Sequence, residues 1–426
     1  MWRTILLGVS LSLPSFADRI HAQHSPEPPR LLDDVRFLSD NNLQGRMTGS
    51  AGADSAAAYL ARRFSQVGLQ PAAGGWFQSF AVRREATGTR GPTGGAHLGK
   101  NVIGILPGHD PVLRNQTVVL GAHYDHLGHG GFGSLDPDST GVVHNGADDN
   151  ASGAAVLIQV AARLAASPPA RTVVFIAFSG EEQGLLGSAH YAKQPIYPLA
   201  DMLAMVNLDM VGRLRNGRLI VYGARSAKEF PALLDSLNWY AGFDLKAQGD
   251  GYGPSDHSSF YAAKRPVLHL FTDLHEDYHR TTDDWEKVNY DGLKRVADFS
   301  LGLVTALANR TRPLTFLDQP PASPTQTATT TGSGTSGYGA YLGTVPDMTG
   351  TPGGVRLVGV RAGSPAEKAG LRGDDIITRI GRIETPDLQA MTDALRSHKP
   401  GESVEIVVRR GAAVTTLKAT LGDRGG

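Results

Sequence analysis

Two adjacent carboxylates, Glu181 and Glu182, follow the run Thr172-Val173-Val174-Phe175-Ile176-Ala177 through Phe178-Ser179-Gly180. The run is apolar and β-branched, the signature of a strand buried on both faces. Its carboxyl end is where open α/β sheets take their ligands. Two neighbouring negative charges repel in such a place unless a cation holds them. A bound metal is the simplest such cation, with one glutamate as its ligand and the other left free as a base. A helix is expected to start near Glu182.

Other strand ends carry similar chemistry. The run 117–122 leads into His123-Tyr124-Asp125-His126, and 202–208 leads into Asp209. Gly146-Ala147-Asp148-Asp149-Asn150-Ala151-Ser152-Gly153 stands before a small-residue helix expected at 151–166. The run 266–270 leads through Phe271-Thr272-Asp273 to Tyr278-His279-Arg280-Thr281-Thr282-Asp283. Each residue alone has a plainer reading: an N-cap for Asp148-Asp149-Asn150, a turn for Asp209, a hydrogen-bonded histidine for His123 or His279. Taken together, imidazoles and carboxylates at successive strand ends form a ligand set for zinc or a similar divalent ion. Three carboxylates and two imidazoles exceed the need of one tetrahedral ion and suit two ions about 3.5–4 Å apart that share a carboxylate.

The segments H-Y-D, G-A-D-D-N-A-S-G, S-G-E-E-Q-G-L-L-G-S, N-L-D-M and Y-H-R-T-T-D, within a similarity that covers roughly residues 34–309, resemble the co-catalytic zinc aminopeptidases of metallopeptidase family twenty-eight. The resemblance implies that Asp149 bridges two zinc ions, with His123 and Asp209 completing one site and Glu182 and His279 the other. It implies that Glu181 is the general base, that Asp125 orients His123, and that Tyr278 steadies the oxyanion. Ser255-Asp256-His257 is similar to a segment lining the family's substrate cleft and is expected to give structural support. His126, His129 and His144 flank a glycine-rich loop and are read as solvated, with extra metal contact as the lesser alternative.

These residues need a scaffold that brings distant strand ends together. Strands alternate with helices from about 31 to 309, which predicts a three-layer αβα domain around a mainly parallel sheet. Residues 1–23 have a charged start and a short apolar core, so a cleaved export signal is expected, with a secreted or periplasmic product. The aminopeptidase domain is expected at 24–310. A Pro, Ser, Thr and Gly-rich flexible linker is expected at 311–337.

The unit at 338–424 reads as small and α+β, with a helix expected at 388–397. Its Ser364-Pro365-Ala366-Glu367-Lys368-Ala369-Gly370-Leu371-Arg372-Gly373-Asp374 resembles the core of a bacterial PDZ domain. The resemblance implies that Tyr341-Leu342-Gly343-Thr344 receives a peptide C-terminus, the peptide lying beside the next strand. Pro346 weakens that reading because it removes a donor from the pairing strand.

Composition narrows the field. Lys plus Arg and Asp plus Glu both number 41, so no bulk charge draws nucleic acid or an anionic membrane. The absence of cysteine excludes disulfides, thiol nucleophiles and thiolate-bound zinc. No stretch is long enough to span a bilayer. The expected protein is an exported enzyme that removes N-terminal residues from peptides with a free N-terminus. The alternatives are a catalytically inactive peptide-binding scaffold and a related zinc hydrolase or transferase, such as a carboxypeptidase or glutaminyl cyclase.

Overall fold

The computed structural model of the chain describes residues 30–82, 97–130, 134–136, 139, 141–318, 340–346, 351, 353–360, 364–386, 390–391, 394–395, 397–411 and 413–422. The expected export signal, most of the linker and part of the helix expected at 388–397 lie outside these residues.

The first domain is built on β1 (Gln70–Pro71), β2 (Phe77–Val82), β3 (His97–Leu106), β4 (Thr117–His123), β5 (Thr172–Phe178), β6 (Met202–Leu208), β7 (Arg218–Tyr222), β8 (Asp244–Gln248) and β9 (Val267–Phe271). The helices are α1 (Leu31–Leu38), α2 (Ala51–Gln66), α3 (Gly153–Ala165), α4 (Leu186–Lys193), α5 (Phe230–Ala241), α6 (His257–Ala262) and α7 (Tyr290–Ala308). Spatial order in the sheet is β1-β3-β5-β4-β6-β9-β7-β8, with β2 paired to β3. The four central strands, β5-β4-β6-β9, are parallel. Antiparallel β3 and β7 flank them. The expected parallel arrangement therefore holds for the strands whose ends carry the candidate residues, inside a mixed sheet.

Side-chain alternation accounts for the three layers. Val118, Leu120, Val173, Phe175 and Val206 point into one core, with Phe64 of α2, Val156 of α3, Phe230 of α5 and Leu303 of α7. Val119, Val174, Ile176, Phe178 and Met205 point into the other, with Tyr191 of α4 and Phe260 of α6. Helices on both faces explain why these strands read as unbroken apolar runs.

Three features differ from the sequence reading. The helix expected near Glu182 begins at Leu186. Gly180, Gly184 and Leu185 have φ of 76°, 98° and 61°, so left-handed residues stand on both sides of Glu181–Gln183 and no continuous right-handed helix runs through the turn. The second is the presence of β8 and α6, which no pattern announced. Most of β8 is exposed and lacks an apolar stripe, while α6 has a polar first half that is fully buried. Third, residues 314–318 of the expected linker pack on the first domain. Lys228 N donates to Thr315 O at 3.0 Å, Leu317 N to Ser226 O at 2.9 Å, and Phe316 lies 5.3 Å from the Tyr261 ring.

The second domain contains β10 (Thr344–Pro346), β11 (Val355–Val360), α8 (Pro365–Lys368), β12 (Ile376–Ile380), β13 (Ile383–Glu384), β14 (Ser403–Arg410) and β15 (Ala413–Thr420). Its sheet is antiparallel, ordered β10-β11-β12-β14-β15. It has its own core, in which Leu342, Leu357, Ala366, Ile377, Ile406 and Val408 meet. The β10–β11 register slips between Val345 and Pro346, next to the proline that weakened the pairing expectation.

Candidate metal centre

The sheet delivers the five expected ligands to one edge. His123 ends β4, Asp209 follows β6, Glu182 lies in the turn after β5, and His279 lies in the loop after β9. Asp149 comes from the irregular turn 147–152 before α3. His123 Nε2 is 3.3 Å from both Asp149 Oδ1 and Asp209 Oδ1. His279 Nε2 is 3.1 Å from both Asp149 Oδ2 and Glu182 Oε2. Asp149 thus presents one oxygen to each imidazole. All five side chains are buried.

Local sequence explains how Asp149 is held. Asp283 Oδ2 accepts from the backbone N–H of Asp148 at 2.9 Å and of Asp149 at 3.0 Å. Asn150 donates to Leu208 O at 2.9 Å and accepts from Gly153 N at 2.9 Å, fastening the turn to the end of β6. A Cβ on Gly153 would lie 2.4 Å from that Asn150 oxygen. Asp148 faces away from the cluster and accepts from Gly212 N at 2.6 Å and Ser152 Oγ at 3.0 Å, with His275 Nε2 at 3.1 Å.

Asp125 does more than expected. Its carbonyl oxygen is 3.2 Å from His123 Nδ1, closer than its carboxylate at 3.7 Å. The carboxylate instead accepts from Thr48 Oγ1 at 3.0 Å and from Glu181 N at 3.2 Å. It therefore ties the turn bearing Glu181 to the strand bearing His123. Arg46, fully buried, braces both flanks of the cluster. Its guanidinium donates to Tyr124 O and Asn145 O, each at 2.6 Å, to Gly146 O at 2.9 Å, and to Leu38 O.

The two glutamates have opposed electrostatics. Burial raises the Glu181 carboxyl well above the ordinary range, and the carboxylates of Glu182, Asp209 and Asp256 add to this, with His123 opposing. Burial and Asp149 also push Glu182 up, but His279 and His126 outweigh them and hold it at about 2. The surroundings therefore shift the two neighbouring carboxyls in opposite directions. His279 is drawn up to about 10 by Glu182 and Asp149 against the effect of burial.

The donor set fits divalent cations. Among the described residues, Asp149, Glu182 and Asp209 form ion pairs with imidazoles and with no lysine or arginine. Buried carboxylates need cationic compensation, and oxygen and imidazole donors at these spacings can give it to a metal. Two donor groups overlap at Asp149: His123 with Asp149 and Asp209, and His126 with Asp149 and Glu182.

Several residues depart from the sequence reading. His126 and His144, expected in solvent, are 1% and 0% exposed. The loop after β4 folds back over the strand ends, putting His126 Nδ1 2.8 Å from Glu182 Oε1 and His144 Nε2 2.8 Å from Ser134 Oγ. His129 is exposed, as expected. Tyr278 stacks on His279 with ring centres 3.8 Å apart and joins Met210, Ile220, Tyr222 and Phe271 in a small apolar cluster. Ser255 accepts from Asn207 at 2.8 Å and His257 stacks on His269 with ring centres 4.4 Å apart. Arg46 and Thr48 carried no legible signal of their roles, and Asp283 stood out only as the last residue of the Y-H-R-T-T-D segment. The spacing of three between His123 and His126 was the one available hint for His126.

Residues 101–304 match peptidase family M28, and residues 340–421 match the PDZ domain. A probable leucine aminopeptidase of Arthroderma otae is 26% identical over 230 residues, covering 49% of this chain and 56% of that protein. Leupeptin-inactivating enzyme 1 of Streptomyces exfoliatus is 26% identical over 277 residues, covering 62% of this chain and 54% of that protein. The chain thus spans little more than half the length of these relatives. The fold is shared with BSAP, a zinc aminopeptidase from Bacillus subtilis, at TM-score 0.53 and 18% identity over 68% of this chain and 96% of that one.

Proposed function

We propose, for a chain that carries a peptidase family M28 domain and a C-terminal PDZ domain, that the protein is an exported zinc-dependent aminopeptidase acting on peptides with a free N-terminus. The observation that carries this reading is the meeting of His123, Asp149, Glu182, Asp209 and His279 from four strand ends and the turn before α3, with Glu181 beside them.

Asp149 would bridge two zinc ions, His123 and Asp209 would hold one, and Glu182 and His279 the other. When bound, such a pair supplies Lewis acidity and lowers the pKa of water toward neutrality. Glu181, with its raised proton affinity, takes a proton from the attacking water and returns it to the departing amine. Asp125 fixes the backbone of Glu181 and the ring of His123. Tyr278 keeps the His279 ring in place by stacking, a role the packing supports better than oxyanion contact. No described helix is long and apolar enough to cross a membrane. In the PDZ domain, the loop of Tyr341 to Thr344 would receive a peptide C-terminus. Gly343 there has φ of 83°, the left-handed turn such a loop needs.

The test is hydrolysis of a panel of aminoacyl anilides by the full chain, with and without a chelator, beside N-blocked peptides. Chelator-sensitive release from free-amine substrates alone is expected. Cleavage of blocked peptides, or turnover that survives complete metal removal, overturns the reading.

A further inference from the structure

His126 has no part in the five-ligand scheme, yet it lies against the cluster. Its Nδ1 is 2.8 Å from Glu182 Oε1 and 4.0 Å from Asp149 Oδ2. Its ring meets His279 edge-on with centres 5.8 Å apart. The ring is also locked from behind, since a Cβ on Gly146 would lie 2.5 Å from its Cγ. Its Nε2 is buried and has no hydrogen-bond partner among the described residues.

Two donors on one zinc ion, each about 2.0–2.2 Å from it, stand roughly 3.3–3.6 Å apart in tetrahedral geometry. The separations from His126 to Glu182 and Asp149 bracket that value. We propose that His126 is a sixth ligand of the metal pair, binding through Nδ1 the ion held by Glu182, His279 and Asp149. This rests on the two-metal reading and adds an asymmetry to it. The Glu182 side has two imidazoles, whereas the Asp209 side has His123 with two carboxylates. The imidazole-rich side favours zinc, cobalt, nickel and copper, and the carboxylate-rich side accepts manganese or magnesium more readily. Zinc should therefore fill the His126 side first and leave the other open to a harder ion.

The test is a zinc-loaded crystal structure of the full chain, joined to zinc titration of the metal-stripped protein against a chromogenic chelator. Nδ1 of His126 at about 2.0–2.1 Å from an ion is expected. Losing a ligand should weaken one of two binding steps at least as much as losing a supporting partner does, roughly 10–100-fold, in both His126→Ala and His126→Gln. The glutamine can still hydrogen-bond Glu182, so it separates ligation from orientation and serves if the alanine variant does not fold. Two ions on the other five ligands, with Nδ1 still on Glu182 and tight binding kept in His126→Gln, overturn this inference and leave the proposed function standing. An absence of metal at the cluster overturns both.

Discussion

Neighbouring side chains of the same type do different work here because their surroundings differ. Glu181 and Glu182 share a strand end, but only Glu182 is neutralised by His279 and His126. Glu181→Gln keeps the shape and removes the proton acceptor. It should lower kcat on a leucyl anilide by roughly 10²–10⁴-fold, the usual contribution of a general base. Metal content by mass spectrometry should stay at the wild-type value, and a parallel loss of metal would assign Glu181 to ligation instead. Asp148 and Asp149 form a second such pair. Asp149→Asn should lose bound zinc, while Asp148→Asn should keep it. The Asp148 variant should be destabilised by about 1–3 kcal/mol, because its buried bond to Gly212 N is weakened. Zinc analysis and thermal unfolding of the two variants side by side check this. The choice between the two aspartates was open on the residues alone, since both precede the same helix. It came from the resemblance, and the hydrogen bonds of Asp148 supply its physical reason. His126 was read as solvated because a histidine in a glycine-rich loop looks so until the loop's path over the sheet edge is known.

Elements were most legible where burial is symmetrical. The four parallel strands announced themselves as apolar runs because helices cover both faces. The turn carrying Glu181 did not, since its left-handed residues include Leu185, a type that rarely adopts such backbone. The segment between α1 and α2 was equally silent, although its Arg46 braces the loops after β4 and before α3. Arg46→Met removes the donor from four buried carbonyls. At about 1–3 kcal/mol for each one left unsatisfied, the loss should be on the order of 4 kcal/mol or more, with weakened zinc binding. Denaturant unfolding of the metal-stripped protein separates the fold effect from the metal effect.

In the second domain, Asp375 couples β12 to β14 by accepting from Arg410 Nε at 2.6 Å and Nη2 at 2.7 Å, and from Arg372 N at 3.0 Å. Burial alone would raise its carboxyl, but these donors hold it below the ordinary carboxylate range. A depressed folded pKa means the stabilisation is present above the unfolded value near 3.9 and is lost as pH falls through the folded value. Asp375→Asn should destabilise the domain by about 2–3 kcal/mol at pH 7. Calorimetry of the full chain should show the gap to wild type closing on acidification, and a gap that widens would refute the assignment.

At the scale of the molecule, the chain carries separate cores, and the boundary between them falls later than composition indicated. The run from Pro313 onward contains the Pro, Ser, Thr and Gly expected of a linker, yet three of its first residues are Leu314, Phe316 and Leu317. Leu314 reaches the main core and Phe316 the smaller one on the opposite face of the sheet. The strap they form crosses Ser226, Lys228 and Tyr261, with Tyr261 Oη donating to Leu317 O at 2.9 Å and Glu229 accepting from Thr315 N at 2.9 Å. A window average hides these apolar residues because the segment after them is long and polar. Truncation therefore distinguishes the boundaries. A chain ending at Asp318 should keep the melting temperature of the peptidase domain and its turnover of small anilides, because nothing in its core is removed. A chain ending at Arg310 exposes the surface under Leu314 and Phe316 and should lose on the order of 2–4 kcal/mol. Its hydrolysis of small anilides should nevertheless persist below the lowered melting temperature, since the strap touches none of the five candidate ligands. Equal stability of the two truncations would show that the strap adds nothing, and loss of turnover at a temperature where the shorter chain is still folded would place it in the active site instead.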